Sequence, residues 1–227
     1  MNTILIIIST IIILFAGMYI WWRFYYFFRD PERKIPAGDN IVSPADGTIV
    51  YVKEINEGQI PMSVKKGKEI RLEEIANIQH NRFNKGYIIG IFMSPLSVHI
   101  NRAPISGKVE QISYFHSKNI NMGRMFLNTI FRIRPFYSGC DHLLQNERNT
   151  IIIDGKFPIA VVQIADVVVH KILCWVKEGQ TVTKGERIGL IRMGSQVDII
   201  LPAEKGIKIA VKEGEYVYAG QTVLVTY

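Results

Sequence analysis

Between the apolar runs Ile188-Gly189-Leu190-Ile191 and Val197-Asp198-Ile199-Ile200-Leu201 the chain places the pair Gly194-Ser195. A serine hydroxyl that follows glycine can attack the preceding carbonyl when the backbone aligns oxygen with carbon. Glycine permits such a backbone, because it lacks the Cβ that closes off most other conformations, and it leaves its own carbonyl unshielded. The reacting groups are already neighbours, so no encounter has to be arranged. The resulting ester can undergo β-elimination, leaving a dehydroalanine at a new N-terminus that hydrolyses to a pyruvoyl group. A side chain thereby becomes a ketone. Most Gly-Ser pairs are ordinary turns, so the surrounding elements decide what this one is.

Those elements read as short β-branched runs punctuated by glycine, among them "IVSPADGTIVYV", "YIIGIFMS", "FPIAVVQIA", "VDIIL" and "TVLVTY". Such spacing predicts a strand-dominated sandwich. Two internal repeats sharpen the prediction. "VKEGQTVTKGERIGLI" from Val176 aligns with "VKEGEYVYAGQTVLVT" from Val211, matching Gly179 to Gly214 and Gly185 to Gly220. "SPADGTIV" and "APISGKVE" share a Pro-x-x-Gly turn, Pro44 to Gly47 and Pro104 to Gly107, that leads into a strand. The fold class expected is mainly β, a duplicated flattened β-sandwich that resembles biotinyl or lipoyl carrier domains. Carrier chemistry is disfavoured, because the nearest lysine, Lys205, lies outside the tight turn where an acceptor belongs.

The N-terminus carries "ILIIISTIIILFAGMYIWW", an apolar run without charge that ends in Tyr19, Trp21, Trp22 and Arg23. Length and aromatic belt predict a retained membrane anchor over residues 1–30 rather than a cleaved signal. A composition that is 48% hydrophobic and 21% charged predicts one well-packed domain over residues 31–227. The net charge of +7 fits nucleic acid, an anionic membrane surface or an acidic substrate. Arg23, Arg29, Arg33 and Lys34 all follow the apolar run, so the expectation is a cell-membrane protein with its domain on the cytoplasmic side and no nucleic-acid partner. "FRDPERKIPAGDN" reads as a linker. Arg124 to Arg134 has helix-like spacing, and either a headgroup layer or solvent suits its basic side. Cys140 and Cys174 are packing residues by this reading, as His80, His116, His142 and His170 are surface or packing residues.

Taken together, "FFRDPER", "IVSPADGTIV", "FMSPLSVHINRAPISGKV", "NERN", "VVQIA" and "CWVKEGQTVTKGERIGLIRMGSQVDIILP" resemble the short class of phosphatidylserine decarboxylase proenzymes, including their archaeal archaetidylserine relatives. The resemblance runs in order from Phe27 to beyond Pro202. It implies self-cleavage between Gly194 and Ser195, with Ser195 becoming a covalent pyruvoyl cofactor and no metal required. Residues 31–194 would then belong to a larger chain and 195–227 to a small one, held together as a heterodimer, with further oligomerisation left open. The implied reaction decarboxylates a serine phospholipid through a Schiff base to the ethanolamine phospholipid.

By the same resemblance His99 transfers protons during decarboxylation and Asp46 helps to activate the serine. Longer members carry a second histidine three residues on, where this chain has Arg102, which cannot act as a base near neutral pH. Either His99 serves both steps or another group takes part in processing. Arg102 would instead bind the substrate's carboxylate or phosphate. The family's preceding acidic position is Ser97 here. The alternative is a membrane-anchored lipoyl-like adaptor without catalysis, for which the 19 residues from Leu190 to Lys208 leave no room for a long helical hairpin.

Overall fold

The computed structural model describes residues 2–62, 70–76, 81–167, 172–192 and 194–227. His80 and His170 lie outside them. The apolar N-terminal run forms the α-helix Asn2–Trp21, which widens into a π-helical turn over Trp22–Tyr26. Leucine, isoleucine and phenylalanine surround it on all sides and are exposed, as they are on a helix that turns every face to lipid. The stretch Thr3–Tyr26 is long and apolar enough to cross a membrane.

The rest is mainly β, as the sequence predicts. Strands Gly107–Phe115, Arg148–Asp154, Pro158–Ala165, Ser195–Pro202, Lys85–Met93 and Gly47–Asn56 lie side by side in that order, each antiparallel to its neighbours. Two three-stranded sheets face this large one. The first contains Asn40–Val42, Val223–Thr226 and Lys208–Ile209; the second contains Ile100–Arg102, Arg187–Ile191 and Ile172–Cys174. Ile89, Ile91, Ile151, Val161, Val197 and Ile199 fill the space between the layers with Ile41, Ile188 and Val225. The reverse face of the large sheet buries Ile88, Ile152, Val162 and Ile200 against Met125 and Leu143 from two short helices. Both faces of the central strands are covered, which is why "VDIIL" and "IAVVQIA" read as continuous apolar runs rather than alternating ones.

The sequence repeats are visible as matched hydrogen bonds. Gly179 N–H donates to Val109 and Gly214 N–H to Ile49, each at 2.8 Å. Gly185 N–H donates to Ala103 and Gly220 N–H to Ser43, again at 2.8 Å. All four glycines have positive φ, between 73° and 92°, a region that Cβ-bearing residues avoid. The bulge at Val109/Gln111 matches the bulge at Ile49/Tyr51. Each half thus builds one end of the large sheet and one small sheet. Pro158–Ala165 and Ser195–Pro202 pair where the halves meet.

The predicted linker is strapped to the domain. Asp30 pairs with Arg102 and Arg187, Arg33 with Asp46, and Lys184 Nζ donates to the Gly38 carbonyl. The helix expected over Arg124–Arg134 spans Gly123–Ile130. It stops early because Arg132 turns left-handed at φ 54° and Asn128 donates its side-chain amide forward to the carbonyls of Phe136 and Ser138.

Candidate active site

Ser195 is the first residue of a central strand, paired with Met93 on one side and Ala165 on the other. Its side chain is fully buried, and its hydroxyl lies 3.7 Å from the Met93 sulfur, a soft and weak acceptor. Met93 also receives the Asn101 amide at 3.8 Å, so one sulfur joins the serine to the His99–Arg102 segment. Immediately before the strand the backbone breaks at Gly194, with φ 61°. A Cβ there would stand 2.5 Å from Asp166 Oδ2. Any other residue would be strained by this left-handed backbone and would push the Asp166 carboxyl aside.

His99 is buried. Its Nδ1 lies 2.9 Å from the Ser97 carbonyl, which can only accept, so Nδ1 carries the proton and Nε2 a lone pair. Nε2 has no hydrogen-bond partner among the described residues. Phe27 covers the ring at a centroid distance of 4.3 Å. Burial lowers the imidazole pKa to about 4, the Ser97 hydrogen bond opposes this, and the Arg29 charge adds to the lowering. The ring is neutral near pH 7. Ser97 itself is buried, with its hydroxyl between those of Ser94 and Tyr216, each at 3.2 Å.

Asp46 and Arg102 are engaged elsewhere. Asp46 accepts two bonds from Arg33 Nη2 at 2.9 Å and one from Ala219 N–H at 2.7 Å. Burial raises its pKa, while Ala219 and Arg33 pull it back. Arg102 gives one Nη to the Gly185 carbonyl at 2.9 Å and the other to Asp30 at 2.6 Å. It borders an open cavity of about 420 Å³ with Glu32, Arg33, Glu186 and Arg187. The structure therefore brings the histidine segment to the serine, while the hydrogen bonds of Asp46 and Arg102 run to the strap that follows the apolar N-terminal helix.

The sequence model of the family described as phosphatidylserine decarboxylase matches residues 21–225. This chain belongs to the phosphatidylserine decarboxylase family. A Methanocaldococcus jannaschii protein named as a candidate archaetidylserine decarboxylase proenzyme is 41% identical over 203 residues, covering 88% of this chain and 87% of its own. A phosphatidylserine decarboxylase proenzyme from Azorhizobium caulinodans is 36% identical over 215 residues, covering 93% of this chain and 76% of its own. Membership makes the chain a carboxy-lyase of phospholipid metabolism and implies a lipid substrate.

Within this decarboxylase fold two groups escaped the sequence reading. Asp166 closes over Gly194 and accepts N–H bonds from Met122 and Val167. On the reverse face of the serine strand, Tyr51 donates to Asp198 at 2.7 Å and Gln196 reaches both at 2.7 Å, with His142 3.4 Å from Gln196. Burial raises the Asp198 pKa to about 6 against the hydrogen bonds of Gln196 and Tyr51. An aspartate inside "VDIIL" was the available signal for this network, since a buried charge demands partners. His116 is exposed, and Cys140 and Cys174 are free thiols, with burial pushing Cys140 up to about 12.

Proposed function

We propose that the chain cleaves itself between Gly194 and Ser195 and then decarboxylates a serine phospholipid with a pyruvoyl group derived from Ser195. The conformational break at this bond carries the reading. A left-handed glycine runs directly into a serine paired on both sides within a central strand. A cut there leaves residue 195 at a free strand end, with its neighbours still holding it and residues 195–227 packed in both layers.

The surroundings fit a ketone at that position. The group would supply an electron sink for the carbon–carbon bond that breaks. His99 offers a buried lone pair on Nε2 with which to hold or move a proton, and Phe27 excludes water from it. Asp46, held by Arg33, and Arg102, held by Asp30, position the strap across the site. A substrate phosphate that binds Arg102 has to displace Asp30.

The substrate is the serine phosphodiester headgroup that phosphatidylserine and archaetidylserine share. The anchor sets the domain against a membrane on the cytoplasmic side. Leu127, Ile130 and Phe131, exposed by 51%, 56% and 68%, point the segment with Arg124, Arg132 and Arg134 toward anionic headgroups. Incubating purified protein with each lipid and following the ethanolamine product tests the reading. Wild type should convert at least one of them, Ser195→Ala neither; product formed by Ser195→Ala contradicts it.

A further inference from the structure

We propose that Asp166 is the acid that protonates the departing nitrogen of Ser195 when the Gly194–Ser195 peptide opens, an assignment that rests on the self-cleavage reading above. Ser195 lies opposite Ala165, so one step further along the same antiparallel register Gly194 faces Asp166. Their closeness is seen directly, because Asp166 Oδ2 lies 2.5 Å from where a Cβ on Gly194 would stand.

Side chains alternate along a strand, so Asp166 and Ser195 approach the scissile peptide from opposite faces of the sheet. Ser195 points to Met93 in the core between the layers. Asp166 instead meets Met122 on the helix-covered face, where Gln196 and Asp198 also lie. This division suits the reaction. When an oxygen adds to one face of an amide, the nitrogen lone pair develops on the other, anti to the new bond. A proton for that nitrogen must therefore come from the face that Asp166 holds.

The carboxyl is oriented for this task. Oδ1 accepts the N–H groups of Met122 at 3.0 Å and Val167 at 2.6 Å, leaving Oδ2 turned to Gly194. Burial raises the pKa of Asp166, and the two N–H bonds offset only part of that, so the group keeps its proton to a higher pH than an ordinary aspartate. The other candidates are committed. Arg33 holds Asp46 as a carboxylate partner, Asp30 holds Arg102, and the one proton on His99 is directed at Ser97.

The Ser195 Oγ–C bond to Gly194 forms as the hydroxyl proton passes to a base, for which His99 Nε2 has a free lone pair. The Gly194–Ser195 C–N bond breaks as the Asp166 proton moves to nitrogen, giving an ester and a free amine. Proton exchange with water then restores His99 and Asp166.

The test follows disappearance of pulse-labelled full-length chain, made by cell-free synthesis with vesicles, on a denaturing gel. Wild type and Ser195→Ala run alongside, so that loss of the self-cleavage reading is seen separately as an uncut wild type. Asp166→Asn keeps an acceptor for Met122 and Val167 but lacks the acidic proton, and should slow cleavage by about 100-fold. Asp166→Glu keeps the acid and should cleave far faster than Asn. Cleavage of Asp166→Asn at the wild-type rate overturns the assignment, and so does equal loss in Asn and Glu, which would give the residue a packing role alone.

Discussion

Phe27, which follows the apolar N-terminal helix, lies on the imidazole of His99 with the ring centroids 4.3 Å apart and the planes inclined by 30°. Phe27 is fully buried, and Arg29, two residues on, donates to the Leu96 carbonyl at 2.5 Å. The segment that follows the apolar helix and the histidine of the site are therefore one packing unit.

Phe27→Ala should uncover that ring. The imidazole pKa should climb from about 4 toward its ordinary 6.5, because the burial that depresses it is relieved. The cavity should cost about 3–5 kcal/mol of stability. Phe27→Leu, which keeps most of the cover, should show a smaller shift. Titration of the His99 ring by NMR in detergent checks both variants, and an unmoved pKa in Phe27→Ala would separate the ring contact from the desolvation.

Gly194→Ala should block processing while the domain still folds. A left-handed conformation costs an alanine about 1–2 kcal/mol, and the new methyl group would meet Asp166 Oδ2 at 2.5 Å. The Asp166 side chain can swing away from the methyl group, but relief of the backbone strain requires the scissile peptide to move. The fraction of cleaved chain on a denaturing gel should fall at least about tenfold, since each 1.4 kcal/mol against the reactive geometry is a factor of ten. Full cleavage in this variant would show that the break at Gly194 does not matter to the reaction.

The buried titratable groups act on stability with opposite signs. Asp198 is raised from 3.8 to about 6, so its contribution is complete below about pH 4 and is lost as pH rises through 6. His99 and His142 are lowered from 6.5 to about 4, so theirs is complete above 6.5 and is lost as pH falls through 4. Asp198→Asn should remove only the first effect. Its Tm relative to wild type should rise between pH 4 and 7, measured by thermal melts in detergent, and a constant difference across that range would mean Asp198 does not change its charge there.

Much of the fold was legible because it is written as repetition. Gly179 and Gly214, then Gly185 and Gly220, recur in sequence because each half needs the same left-handed turns, and the duplication appeared as matched bonds. The pair Gly194-Ser195 stands out between apolar runs, but the resemblance to the decarboxylase proenzymes is what lifted it above an ordinary turn. Asp166 was not, since its meaning comes from a strand partner 28 residues away that no local pattern announces. The partners of Asp46 and Arg102 were hidden for a similar reason. Arg33 and Asp30 belong to a proline-containing segment that reads as a linker, and only the folded chain shows it laid across the domain. The helix ending at Ile130 was overestimated because the left-handed Arg132 gives no sign in composition.

The central claim concerns the covalent state of position 195, and the intact mass of the protein as isolated from cells tests it most directly. The account predicts two polypeptides, residues 1–194 and 195–227, with the smaller one lighter by one ammonia than the same peptide beginning with a free serine. A single unbroken chain carrying full decarboxylase activity would contradict it.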